Sequence, residues 1–156
     1  MSTGRLSSRY KIVRGNTNAE TALSGVSALP ASGSFIDVAG YKSVTALIHL
    51  GTLHTSDTPA FELKVAEAAD GTLDVLDATN LKKTPDPDAD DGQIIEIYLD
   101  LEHLPDADHH WVAVATTGTL TNGSYADVIF FLEGRHLPPT QVTAQLPAAS
   151  IIGLAG

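Results

Sequence analysis

The chain has no cysteine and a single methionine. Without cysteine there can be no disulfide, no thiolate metal site and no thiol nucleophile, and the redox compartment is left open. Long apolar runs are also missing. The stretch 128–132 (VIFFL) is strand-sized, and nothing approaches the about 20 residues that a membrane-spanning helix needs. The opening residues MSTGRLSSRY contain no apolar core of the kind a secretory leader carries, so none is expected. Basic residues are scarce: nine Lys and Arg stand against 19 Asp and Glu, a formal net charge of −10. Phosphate repulsion opposes such a chain on nucleic acid. Its aromatics (one Trp, four Tyr, four Phe) are scattered and not interleaved with Lys or Arg, as a sheet that stacks bases requires. We therefore expect neither a nucleic-acid nor a membrane partner.

What remains is a chain of 156 residues, 43% hydrophobic and 18% charged. A domain of this size buries roughly 70% of the surface its unfolded chain exposes and needs no covalent staple. Its charge is unevenly spread. Residues 1–14 carry Arg5, Arg9, Lys11 and Arg14 and no acid, whereas residues 86–108 carry nine acids and no Lys or Arg. Such bipolarity suits pairing of the basic end with an acidic surface on a neighbour; solvated charge on a soluble protein is the plainer alternative.

The hydrophobic pattern has period two. In residues 44–50 (VTALIHL) Val44, Ala46, Ile48 and Leu50 share one face. In 61–65 (FELKV) Phe61, Leu63 and Val65 alternate with Glu62 and Lys64. In 94–101 (IIEIYLDL) Ile95, Ile97, Leu99 and Leu101 lie opposite Glu96, Tyr98 and Asp100. This is the signature of half-solvated antiparallel strands. Further strands are expected at 35–38, 73–76, 111–115 and 125–133, with a single helical turn at 78–83. Asp70-Gly71 and Asn122-Gly123 mark tight turns, and 85–92 (PDPDADDG) is a loop. About seven to eight strands with turns every ten to twelve residues, and no long helix, predict an all-β antiparallel β-sandwich, jelly-roll-like or immunoglobulin-like. Residues 1–32 and 140–156 lack sustained alternation and are expected to be arms flanking a sandwich at 33–139. Phe61 and Trp111 are expected in the core. Phe130 and Phe131 are neighbours, so one is core and the other is covered by an arm or a partner.

Chemistry-bearing patterns are weak. Asp86, Asp88 and Asp90 repeat like the odd positions of a calcium loop, but Asp91 and Ile97 stand where that loop needs Gly and Glu. His109 and His110 are adjacent, so on a strand they point to opposite faces and do not share a metal. No nucleophile elbow, phosphate loop or dinucleotide fingerprint is present. We expect no catalytic residue, no cofactor and no metal site.

The run 41–53 (YKSVTALIHLGTL), then 61–66 (FELKVA), Leu76-Asp77-Ala78, 94–100 (IIEIYLD), 110–117 (HWVAVATT) and 126–133 with Gly134-Arg135 and Pro138 resembles small β-sandwich virion proteins of tailed bacteriophages, the capsid decoration or cement family. The resemblance covers residues 35–140 and is one of strands and turns. It implies a head-stabilising protein on the outer capsid surface, made in the host cytoplasm. Its partners would be the major capsid protein and sister copies, a trimer being favoured, with arms that reach across neighbouring subunits. On that reading Arg5, Arg9, Lys11 and Arg14 make charged contacts, and Ile151, Ile152 and Leu154 insert into a neighbour's apolar surface. A tail or head–tail connector protein and a carbohydrate-binding sandwich module are the competing expectations.

Overall fold

A computed structural model of the chain describes residues 9–16 and 21–134. These contain ten strands: β1 (Tyr10–Arg14), β2 (Thr21–Ala22), β3 (Ala28–Leu29), β4 (Ile36–Asp37), β5 (Tyr41–Leu50), β6 (Ala60–Ala66), β7 (Lys82–Lys83), β8 (Ile94–Asp100), β9 (Trp111–Thr117) and β10 (Tyr125–Gly134). A 3-10 turn at Leu101–His103 is capped by Asp100, whose side chain accepts a hydrogen bond from the Glu102 backbone N–H. No described helix is long and apolar enough to cross a membrane.

The strands form two antiparallel sheets. The first runs β1-β10-β5-β8, with β2 also on β10; the second runs β3-β9-β6-β7, with β4 also on β9. Ala126 pairs with Leu50 on one side and Thr21 on the other, while Ile129 pairs with Leu47 and Arg14, so β1 and β2 occupy successive stretches of one edge of β10. On β9, β3 meets Val114 and Ala115, and β4 meets Trp111 and Val112, in the same interrupted way. Each sheet therefore has four strand positions, one of them split.

The alternation read from sequence places the core. Val44, Ala46, Ile48 and Leu50 of β5, with Val128, Phe130 and Leu132 of β10, turn inward from the first sheet. Phe61, Leu63 and Val65 of β6, with Val112 and Val114 of β9, face them from the second, all within one buried cluster. Burial of each such side chain contributes about 1.5–3 kcal/mol relative to exposure. The result is a sandwich-like pair of sheets about a shared apolar layer.

Several expectations are corrected. Residues 10–14 are not an arm. They form five paired positions with β10, and Val13 is buried, because the edge of β10 offers a ladder and an apolar slot that the local sequence could not reveal. Residues 21–22 and 28–29 are likewise strands. The 73–76 strand reduces to one bridge between Asp74 and Val65. The 78–83 turn is closed by the Leu81 N–H donating to the Asp77 carbonyl at 2.9 Å, and then becomes β7. Trp111 is not in the central core. It lies on the outer side of the second sheet in a satellite cluster with Ala28, Phe35, Ala66, Ala113 and Leu73.

Candidate interaction surface

The two outer faces differ. The second sheet is covered by its own chain. The Gly33 and Phe35 N–H groups both donate to the Ala69 carbonyl (2.9 and 3.3 Å), drawing residues 33–35 to the loop after β6. On the same sheet Glu62 is only 5% exposed, and Lys64 pairs at 3.5 Å with a carboxylate that alternation alone would place in solvent. The first sheet carries no such cover among the described residues. Its outer side chains form cross-strand rows. One is Arg14–Ile129–Leu47–Glu96, and the next is Ile12–Phe131–Thr45–Tyr98. Ile129 is 39% exposed, Tyr98 52% and Ile94 64%. An apolar band thus crosses the sheet, with a cation at the β1 side and acids at the β8 side. Contiguous exposed apolar surface of this kind marks an interaction site more often than scattered residues do.

The structure distributes the sequence-predicted contact residues as follows. Arg9 sits beside Tyr10, 5.7 Å from its ring centroid, and reaches Glu133 at 3.3 Å; Lys42 approaches the same carboxylate at 3.9 Å. Both Arg9 and Lys42 are largely exposed, so these pairs add little stability. Lys11 lies 5.9 Å from the Tyr41 ring centroid. Arg14 is exposed at the end of β1 and makes no ion pair among the described residues. Lys11 and Arg14 thus lie on one edge strand and Arg9 immediately before it, with Arg14 on the outer face. Arg5, Ile151, Ile152 and Leu154 lie outside the described residues. Phe130 is fully buried, while Phe131 meets Tyr10 edge-on with centroids 6.2 Å apart, so the side chain that covers it comes from β1.

Other polar clusters serve the scaffold. Asp57 is fully buried between the β5–β6 and β9–β10 connections. It accepts from the Ser124 hydroxyl at 2.6 Å, the Asn122 amide at 2.8 Å and the Thr121 N–H at 3.1 Å. The Ser124 hydrogen bond is the main reason its carboxyl titrates below the ordinary aspartate range. His109 hydrogen-bonds Asp106 at 2.8 Å through Nδ1, and its Nε2 lies 3.4 Å from Asp74 and 3.7 Å from Glu67. The hydrogen bond to Asp106 leads in raising its pKa. His110 instead pairs with Asp37 at 2.9 Å. The adjacent histidines therefore serve different acids. In the aspartate loop, Asp90 accepts from the Asp86 N–H at 2.7 Å, Asp86 from the Asp88 N–H at 3.0 Å, and Asp91 from the Leu53 N–H at 2.7 Å. Asp86 and Asp90 hold the loop's own backbone, and Asp91 ties it to the connection after β5.

A groove of about 460 Å3 opens beside β8, lined by Leu76, Asp77, Asn80, Leu81, Tyr98, Leu99, Asp100 and His103. Asp77 is occupied within it, accepting from the Thr79 and Asn80 N–H groups at 2.9 and 3.1 Å and the Asn80 amide at 2.6 Å, which lowers its pKa.

Sequence reasoning missed the outer band as a site. Tyr98 and Ile94 were legible as outward positions of β8. Their continuity with Leu47, Ile129 and Ile12 depends on strand neighbours more than 30 residues apart in the chain. No family model, curated protein or solved structure matches the chain.

Proposed function

We propose that the chain is a virion structural protein that decorates and stabilises a bacteriophage capsid, and that its two sheets form a jelly roll. The observation that carries this reading is the strand order. With the split positions counted once and lettered B to I along the chain, the first sheet reads B-I-D-G and the second C-H-E-F. That is the order two Greek keys make in a jelly roll, an architecture built repeatedly into viral capsid and lectin domains. The resemblance of residues 35–140 to phage decoration proteins and the exposed apolar band point the same way. The major capsid protein is the partner, met by the chain ends that carry Arg5, Ile151, Ile152 and Leu154. Many identical sites on one shell make individually weak contacts collectively strong.

The test is addition of purified protein to undecorated capsids of the encoding virus, followed by electron microscopy and thermal release of the packaged genome. Density on the outer shell and a higher release temperature are expected, both lost on deletion of residues 135–156. Bare capsids with unchanged release reject the reading.

The groove favours a second reading. A tyrosine ring beside an amide, carboxylates and a histidine is a chemistry that recognises sugar, so a carbohydrate-binding module is the alternative. Glycan binding that Asn80→Ala abolishes, with no capsid attachment, would establish it instead.

A further inference from the structure

We infer that the outer face of the β1-β10-β5-β8 sheet binds a second copy of this chain, face to face, about a two-fold axis parallel to the strands. The inference rests on the order of charge along the rows and not on the capsid reading.

A sheet face meets its twin in few ways, and closed two-fold pairs are the commonest oligomers. A two-fold axis in the interface and parallel to the strands reverses the strand order but preserves position along the strands. It therefore lays β1 of one copy over β8 of the other, and β10 over β5. The row Arg14–Ile129–Leu47–Glu96 then meets its own reverse. Arg14 lies over Glu96 of the second copy, and Ile129 over Leu47. In the next row Ile12 lies over Tyr98. Asp127 and His49, paired across β10 and β5, exchange places as well, so a carboxylate again faces an imidazole.

The other in-plane axis, perpendicular to the strands and centred on the same row, lays β1 over β1. It sets Arg14 against Arg14 and Glu96 against Glu96, and like charges so placed cost affinity. Charge thus selects one of the two pairings. Neither Arg14 nor Glu96 makes an ion pair within the described residues, so both are free to serve it. Stacked sheets cross at about 30° and sit about 10 Å apart, which keeps the central row in contact while the corners splay. Four strands spaced about 4.8 Å apart present a small footprint, below the roughly 800 Å2 per partner of a standard interface. The pair is accordingly concentration-dependent.

Sedimentation equilibrium of the full chain tests this. A monomer–dimer equilibrium is expected, with a dissociation constant in the range of about 1–100 µM. Ile129→Asp, at an exposed position, raises that constant at least about 30-fold while the circular dichroism spectrum and melting temperature hold. Arg14→Glu and Glu96→Arg each raise it about tenfold, and the double variant restores it to within about threefold of the parent. A species that stays monomeric at about 500 µM, several times the upper end of that range, overturns the proposal. So does a trimer, or a charge reversal that the second reversal fails to rescue.

Discussion

Asp57 has almost nothing local to mark it, yet four side-chain and backbone donors from residues 121–124 converge on its carboxylate. Removing it strands those donors in a dry place, which costs more than losing a solvated cap. Asp57→Ala is expected to lower the melting temperature clearly more than Asp77→Ala, whose donors return to water; differential scanning calorimetry compares the two. The carboxyl pKa values of Asp57, Asp77 and Asp106 all lie below the ordinary range in the folded chain. Each therefore favours folding above the unfolded value of about 3.9, and that contribution disappears as pH falls through the depressed folded value. His109 has the opposite sign. Its pKa is raised by Asp106, Asp74 and Glu67, so its contribution is complete below about 6.5 and is lost as pH rises through the raised value. Urea midpoints between pH 5 and pH 9 should fall for the parent and flatten for His109→Gln; an unchanged slope would sink the assignment. The partners of Asp57 were not legible in the sequence, because its hydrogen bonds join loops that only the fold brings together, whereas Asp77 and Asp106 bond groups two and three residues on. Glu62 and Trp111 show the same limit. Both faces of β6 and β9 are buried, so alternation could not say which side was the deeper.

At the scale of the element, period-two patterning located β5, β6, β8, β9 and β10, whose seven to ten residues supply enough repeats to read. Two-residue strands such as β2, β3 and β7 carry no period at all. β1 is long enough, but its face is decided by its partner. Deleting residues 1–16 therefore removes an edge strand rather than a loose arm. It uncovers Phe131 and forfeits the burial of Val13, for a loss of at least about 1.5–3 kcal/mol measured by urea unfolding. Turns carry their own constraints. Gly118 has φ +97°, and a Cβ there would stand 1.8 Å from the Thr58 carbonyl oxygen. Gly118→Ala is expected to cost well beyond the about 1–2 kcal/mol that a left-handed backbone alone imposes on an L residue. In the core, Phe130→Ala should destabilise by about 3–5 kcal/mol by the same measurement, because its fully buried ring leaves a cavity between the sheets.

The whole molecule is asymmetric. One sheet is roofed by residues 33–35 and the loop after β6, and the other shows an apolar band bounded by opposite charges. Surface pairs at the rim of such a face weaken with salt, whereas its centre does not. Raising ionic strength from about 0.05 to 0.5 M should thus weaken the proposed pair only a few-fold, and sedimentation reads the change. A much larger loss would mean that charge, not the Ile129–Leu47 contact, holds it.

By itself the sequence determined that this chain is all-β with antiparallel strands, and that Val44, Ala46, Ile48, Leu50, Ile97 and Leu99 share inward faces. Those properties follow from alternation within a few residues, where the backbone's two-residue repeat acts directly. Only the tertiary structure decided that Tyr10–Arg14 closes the edge of β10, that Asp57 is buried, and that Arg14 and Glu96 stand at opposite ends of one row. Those are facts of strand order, and strand order comes from how distant segments share a single apolar layer, which no local pattern encodes.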